Sequence, residues 1–98
     1  MSVQIVRFTA PAERVPEVEE AIRHLFAAVE EAGPAGIEYT AARVGDGPEF
    51  LLTLRLPDGA ANPLLGIRAA GEFRSRVADW AGAPVPPQTL HVLGRYAR

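Results

Sequence analysis

Hydrophobic positions along the chain first cluster in a short run, then repeat at spacings of three and four, then fall into short runs again. The first run, Val3 to Phe8, is rich in β-branched residues, which predicts a strand. Thr9-Ala10-Pro11 ends it, because Pro11 has no N–H to give a ladder. Val15, Val18, Ile22, Leu25, Phe26 and Val29 then form the stripe of an amphipathic helix. Pro16 fits only in a first turn, so this helix starts near Arg14 to Pro16, and Gly33-Pro34 stops it. Glu13, Glu17, Glu19 and Glu20 crowd the start, where carboxylates are favoured.

Ile37 to Val44 and Glu49 to Leu56 read as two strands joined by the turn Gly45-Asp46-Gly47-Pro48, a β-hairpin. After the turn Pro57-Asp58-Gly59, Asn62-Pro63 has the form of a helix start: a capping asparagine, then proline. Gly66 and Gly71 weaken the run that follows, so Pro63 to Arg68 is left open as a separate turn. Ala70, Phe73, Val77 and Trp80 repeat at helical spacing, with Arg74, Arg76 and Asp79 outside, and Gly82 ends this second helix. Pro84, Pro86 and Pro87 stiffen a connector to a last strand, Gln88 to Tyr96.

The order β-α-β-β-α-β predicts one α+β domain over residues 1–98, of ferredoxin-like (split βαβ) type. Right-handed crossovers place both helices on one face of a four-stranded antiparallel sheet. Alternation along the strands then sorts the faces. Phe50, Leu52, Leu54 and Leu56 belong under the helices, and Leu51, Thr53 and Arg55 on the opposite side. The last strand is read with Thr89, His91, Leu93 and Arg95 on that opposite side. The helix-free face is thus half apolar. It either meets water or meets a second copy.

Composition narrows the chemistry. The net charge is -2, from 10 basic and 12 acidic residues that are interspersed, so there is no pull toward nucleic acid or an anionic membrane. No run is long and apolar enough to span a bilayer, no leader pattern is visible, and the expected location is the cytoplasm. With no cysteine, thiol nucleophiles, thiolate metal sites and disulfides are excluded. Local metal-ligand spacings, GxGxxG, the phosphate loop and GxSxG are all missing, so no cofactor or metal is expected.

Six features stand in order: Val3 to Phe8, the amphipathic helix to Gly33, the hairpin Ile37 to Leu56, Asn62-Pro63, the helix ending at Trp80, and His91 to Tyr96. Together they resemble the dimeric α/β-barrel superfamily, within it the antibiotic biosynthesis monooxygenase-like proteins. The resemblance spans nearly the whole chain and rests on layout and size, not on a sharp motif. It implies a homodimer formed through the sheet face, and a small pocket between helices and sheet in each protomer. It also implies a range of roles, among them cofactor-independent oxygenases of polycyclic aromatic compounds and muconolactone isomerase-like enzymes. Haem degradation, another role in that superfamily, uses a first-strand asparagine, plus a tryptophan and a histidine of the second helical region. This chain has no such asparagine or histidine, and Trp80 lies late in the helix and matches no motif.

The candidate residues follow from that frame. His91 is an acid, base or orienting donor if it faces a pocket, and a sheet-face histidine otherwise. Arg7 and Arg55, on strands expected to be neighbours, hold an anionic substrate or an enolate-like intermediate if they converge. Trp80, Phe73 and Tyr39 shape a pocket for a flat, apolar or aromatic ligand, or simply fill the core. His24, one turn from Glu20, reads as a surface residue. Two functions stay open: a cofactor-independent monooxygenase or isomerase of an aromatic, polyketide-like compound, and a non-catalytic dimeric protein that binds a ligand or another protein.

Overall fold

The computed structural model describes residues 2–98. The strands are β1 (Ser2–Thr9), β2 (Glu38–Arg43), β3 (Glu49–Leu56) and β4 (Gln88–Leu90), and the helices are α1 (Val15–Ala32) and α2 (Arg68–Ala81). Short 3₁₀ turns at Ala12–Arg14 and Pro63–Gly66 precede the two helices. The second of these settles the open stretch: Asn62 Oδ1 accepts from the Leu64 N–H at 2.9 Å and so caps a separate turn, not α2 itself. Gly33, at φ 59°, caps α1, with its N–H donating to Val29 O. That left-handed conformation costs any residue with a Cβ about 1–2 kcal/mol.

The sheet order is β2-β3-β1-β4, all neighbours antiparallel, which is the ferredoxin-like arrangement. The alternation in β3 is complete. Phe50, Leu52, Leu54 and Leu56 are buried, while Leu51, Thr53 and Arg55 are half-buried on the other side. The register carries that division across the sheet. Phe8, Val6 and Gln4 lie opposite Phe50, Leu52 and Leu54 on the helix side, and Arg7, Ile5 and Val3 lie opposite Leu51, Thr53 and Arg55 on the far side. Val18 and Leu25 of α1 and Phe73, Val77 and Trp80 of α2 complete the core. Phe8 and Phe50 stack on each other at 5.6 Å beneath the helices. They are therefore not displayed for bases, as an RNA-binding sheet would require.

The last strand departs from expectation in two ways. It pairs only over Gln88–Leu90, not to Tyr96, and residues 91–98 are exposed without regular structure. The cause is register. Leu90 lies opposite Val3, one residue from the described start of β1 at Ser2. The same register reverses the expected faces. Leu90 and Gln88 share the far side with Val3 and Ile5, while Thr89 joins Gln4 on the helix side.

Candidate functional site

The space between α2 and the sheet holds an apolar cavity of about 80 Å³. Its walls are Val6 of β1, Leu52 and Leu54 of β3, Leu64 of the capped turn, and Ala70, Phe73 and Val77 of α2. Val85 and Pro87 of the proline-rich connector close one side. Into these apolar walls the fold brings four polar residues: Gln4, Tyr39, Asn62 and Arg74.

Each has a local reason to be there. Gln4 is the one polar position on the helix side of β1 between Val6 and the strand start. Tyr39 lies opposite Leu54 on the helix side of β2 and stacks on Phe26 of α1 with centroids 5.0 Å apart. Burial pushes its hydroxyl up to about 12, with the charge of Arg74 pulling more weakly the other way. Tyr39 is therefore a neutral hydrogen-bond donor at any physiological pH, not a base. Ultraviolet titration is expected to show one tyrosine ionising only near pH 12 in the folded protein; both tyrosines ionising together at ordinary pH would contradict it. Arg74 is exposed on α2, with its guanidinium folded back toward Gly71. It has no ion pair among the described residues. The cavity thus has an apolar body, neutral donors and an unneutralised cation, and its lining contains no carboxylate and no imidazole.

Of the aromatic candidates, Phe73 and Tyr39 line this cavity and Trp80 does not. Trp80 is 5% exposed and stacks on Phe8 at 6.2 Å and edge-on to Phe73 at 6.0 Å. Its Nε1 donates to Glu17 Oε2 at 2.8 Å, and Arg14 Nε donates to the same oxygen at 2.7 Å. Arg76 completes this tie between the helices, 3.4 Å from Glu17 Oε1 and 4.9 Å from the Trp80 ring centroid. The Trp80 N–H, then Arg14, hold the Glu17 carboxyl below its usual value. A depressed carboxyl contributes stability above its unfolded pKa, near 4.3, and loses it as pH falls through the lower folded value. Thermal melts below pH 5 should therefore show a steeper loss for the native chain than for Glu17→Gln. Equal slopes would exclude the tie.

Arg7 and Arg55 do not converge. Both sit on the far face, but Arg7 lies opposite Leu51 and Arg55 opposite Val3, four residues or about 13 Å apart along the ladder. Each has its own partner, Glu49 for Arg7 and Glu38 for Arg55. His91 lies beyond β4, exposed, and outside the cavity lining. His24 borders a wider groove of about 340 Å³ between the helices. That groove has charged walls, Glu17, Glu20, Glu72 and Arg76, and no three His, Asp or Glu residues among those described are placed to hold a metal. The cavity under α2 is the better ligand site because apolar walls with a few polar groups bind small molecules and a charged, solvated groove does not.

Sequence reasoning missed Gln4, Asn62 and Arg74 as site residues. Gln4 carried a signal: a carboxamide on the core side of a strand whose next two inward residues are Val6 and Phe8.

No family model and no curated protein sequence matches the chain. Solved structures do. A putative antibiotic biosynthesis monooxygenase from Nitrosomonas europaea superposes with a TM-score of 0.70 at 20% identity, over 94% of this chain and 89% of that one. The chain has the fold of the antibiotic biosynthesis monooxygenase-like proteins. The monooxygenase-like fold is shared with NE2512, a protein of unknown function from Nitrosomonas europaea (TM-score 0.71, 14% identity, 99% and 93% covered). Rv0793 from Mycobacterium tuberculosis has it too (0.63, 21%, 98% and 98%). At these identities the likeness is one of fold. Among the described residues no helix is long and apolar enough to cross a membrane.

Proposed function

We propose that the chain is a homodimeric small-molecule enzyme of the monooxygenase-like kind, oxidising an acidic aromatic compound without a cofactor. The observation that carries the reading is the cavity under α2, with Arg74 and the Tyr39 hydroxyl beside apolar walls. The printed description of the Nitrosomonas europaea structure supports the reaction class. Because the lining supplies no general base, the substrate must bring its own acidity, as a hydroxylated aromatic or an enolisable ketone does. Arg74 favours the ionised form, and Tyr39 donates to the same oxygen. The electron-rich carbon then reacts with dioxygen. For an anthrone-type ring, a CH₂ becomes a carbonyl with one oxygen atom, and the other leaves as water with the two hydrogens.

The far face of the sheet serves the dimer in this reading. Val3, Ile5 and Leu51 supply its apolar part, and Arg7 and Arg55 with their glutamates rim it. One observation favours the non-catalytic alternative: a cavity of about 80 Å³ holds two or three waters, well under the several hundred cubic ångströms of ordinary ligand sites. A ring system needs more room than this cavity offers.

Oxygen uptake with anthrone separates the readings. The expected result is saturable turnover above the buffer rate, reduced about 10²-fold or more in Arg74→Gln, the usual size for a lost oxyanion partner. Saturable binding of naphthol with no turnover of anthrone supports the binding protein. Neither binding nor turnover removes the cavity from consideration.

A further inference from the structure

One row of residues crosses the sheet along the cavity floor, and it is not uniformly apolar. Tyr39 on β2 lies opposite Leu54 on β3, Leu54 lies opposite Gln4 on β1, and Gln4 lies opposite Thr89 on β4. Tyr39, Leu54 and Gln4 all line the cavity. Two polar residues thus flank one leucine, with their backbones two strand spacings, about 10 Å, apart. The two ends differ in charge. Arg74, the one charged residue of the lining among those described, acts on the Tyr39 phenol. The Gln4 end is neutral.

Gln4 has no structural task. Its side-chain amide makes no hydrogen bond among the described residues, not even to Thr89 beside it. The residue is half-buried on the side of the sheet where Val6, Phe8, Leu52 and Leu54 pack. An amide drawn from water without a partner costs stability, and an apolar side chain of similar size would not. A carboxamide both donates and accepts, so it can meet a hydroxyl or a carbonyl. Gln4 is half-buried and Arg74 exposed, so water reaches the lining at both ends. A ligand laid across Leu54 is therefore not confined to the cavity's 80 Å³.

We propose that Gln4 is the specificity residue of this cavity and hydrogen-bonds a second oxygen of the ligand, at the end away from the oxygen that Tyr39 and Arg74 hold. The preferred ligand is then an aromatic compound with oxygen at two opposite ends, not one with a single phenolic oxygen. This rests on the cavity being the ligand site, as proposed above, and applies to an enzyme and to a binding protein alike.

Calorimetric titration of the full chain with two single-ring probes tests it. Hydroquinone, kept under nitrogen, and 4-methylphenol match in size and differ in whether the far end carries a hydroxyl or a methyl group. A site built to hydrogen-bond a hydroxyl rejects the analogue that lacks it. The native chain is expected to bind hydroquinone tighter by about 10-fold or more. Gln4→Leu should still bind 4-methylphenol and lose that preference. Urea melts separate this from a structural role: Gln4→Leu should unfold at a midpoint equal to or above the native one, since it removes an unpartnered amide. A lower midpoint, a native chain that binds the two probes equally, or a hydroquinone preference that survives in Gln4→Leu overturns the role of Gln4 and leaves the cavity standing. A native chain that binds neither probe overturns both.

Discussion

Replacing Trp80 by alanine is expected to cost the fold about 3–5 kcal/mol, the range for a buried large aromatic. The ring is almost fully enclosed, stacks on Phe8 and meets Phe73 edge-on, so truncation opens a void where α2 crosses the sheet. It also removes the donor that Glu17 accepts from, leaving that carboxylate to Arg14 and Arg76. A domain of this size has only about 5–15 kcal/mol of stability in total, so Trp80→Ala is expected to sit near its unfolding midpoint at modest urea concentration. Trp80→Phe separates the two contributions. It keeps an aromatic ring in the stack and loses the N–H, and should cost less than half as much in urea melts. Equal losses for the two variants would mean that the hydrogen bond to Glu17, not the packing, dominates.

The second large effect belongs to the far face. Leu51 lies on it, opposite Arg7 on β1 and Ala42 on β2. A carboxylate there leaves the folded protomer intact, because Leu51 is only half-buried within one copy. Between two copies it would be buried against its own symmetry mate or the Val3, Ile5 and Leu51 patch, and its cross-strand neighbour Arg7 is already paired with Glu49. Burying an unpaired charge costs several kcal/mol. Leu51→Asp is therefore expected to weaken dimerisation by 100-fold or more while its melting curve as a monomer stays close to the native one. Unchanged association would show that this face is not the interface.

The pattern along the chain carried most of the fold because each strand has one dry side. Phe50, Leu52, Leu54 and Leu56 announce that side at period two, and the α1 stripe announces its own at period 3.6. The end of β4 was not legible in the same way. Residues 91–96 read as strand formers by composition, but a strand needs a neighbour, and where β1 gives out is fixed by a register that only the folded sheet sets. The register also put Thr89 on the helix side rather than the expected far side, since alternation transmits any slip to every side chain, and it left His91 and Leu93 beyond the ladder. The site was legible in part. Phe73 and Tyr39 follow from being aromatic on inward positions. Arg74 reads as an outward helix residue, and it borders the cavity only because its long side chain folds back over Gly71. Trp80 has the composition of a pocket residue but was claimed by the core through Phe8, a contact between β1 and α2 that no local pattern encodes.

In the proposed homodimer a second copy covers the helix-free side of the sheet. Sedimentation equilibrium of the full chain over micromolar concentrations measures this without any variant. It should report a particle of twice the 10.5 kDa chain mass. A single species at the mass of one chain throughout that range would contradict it.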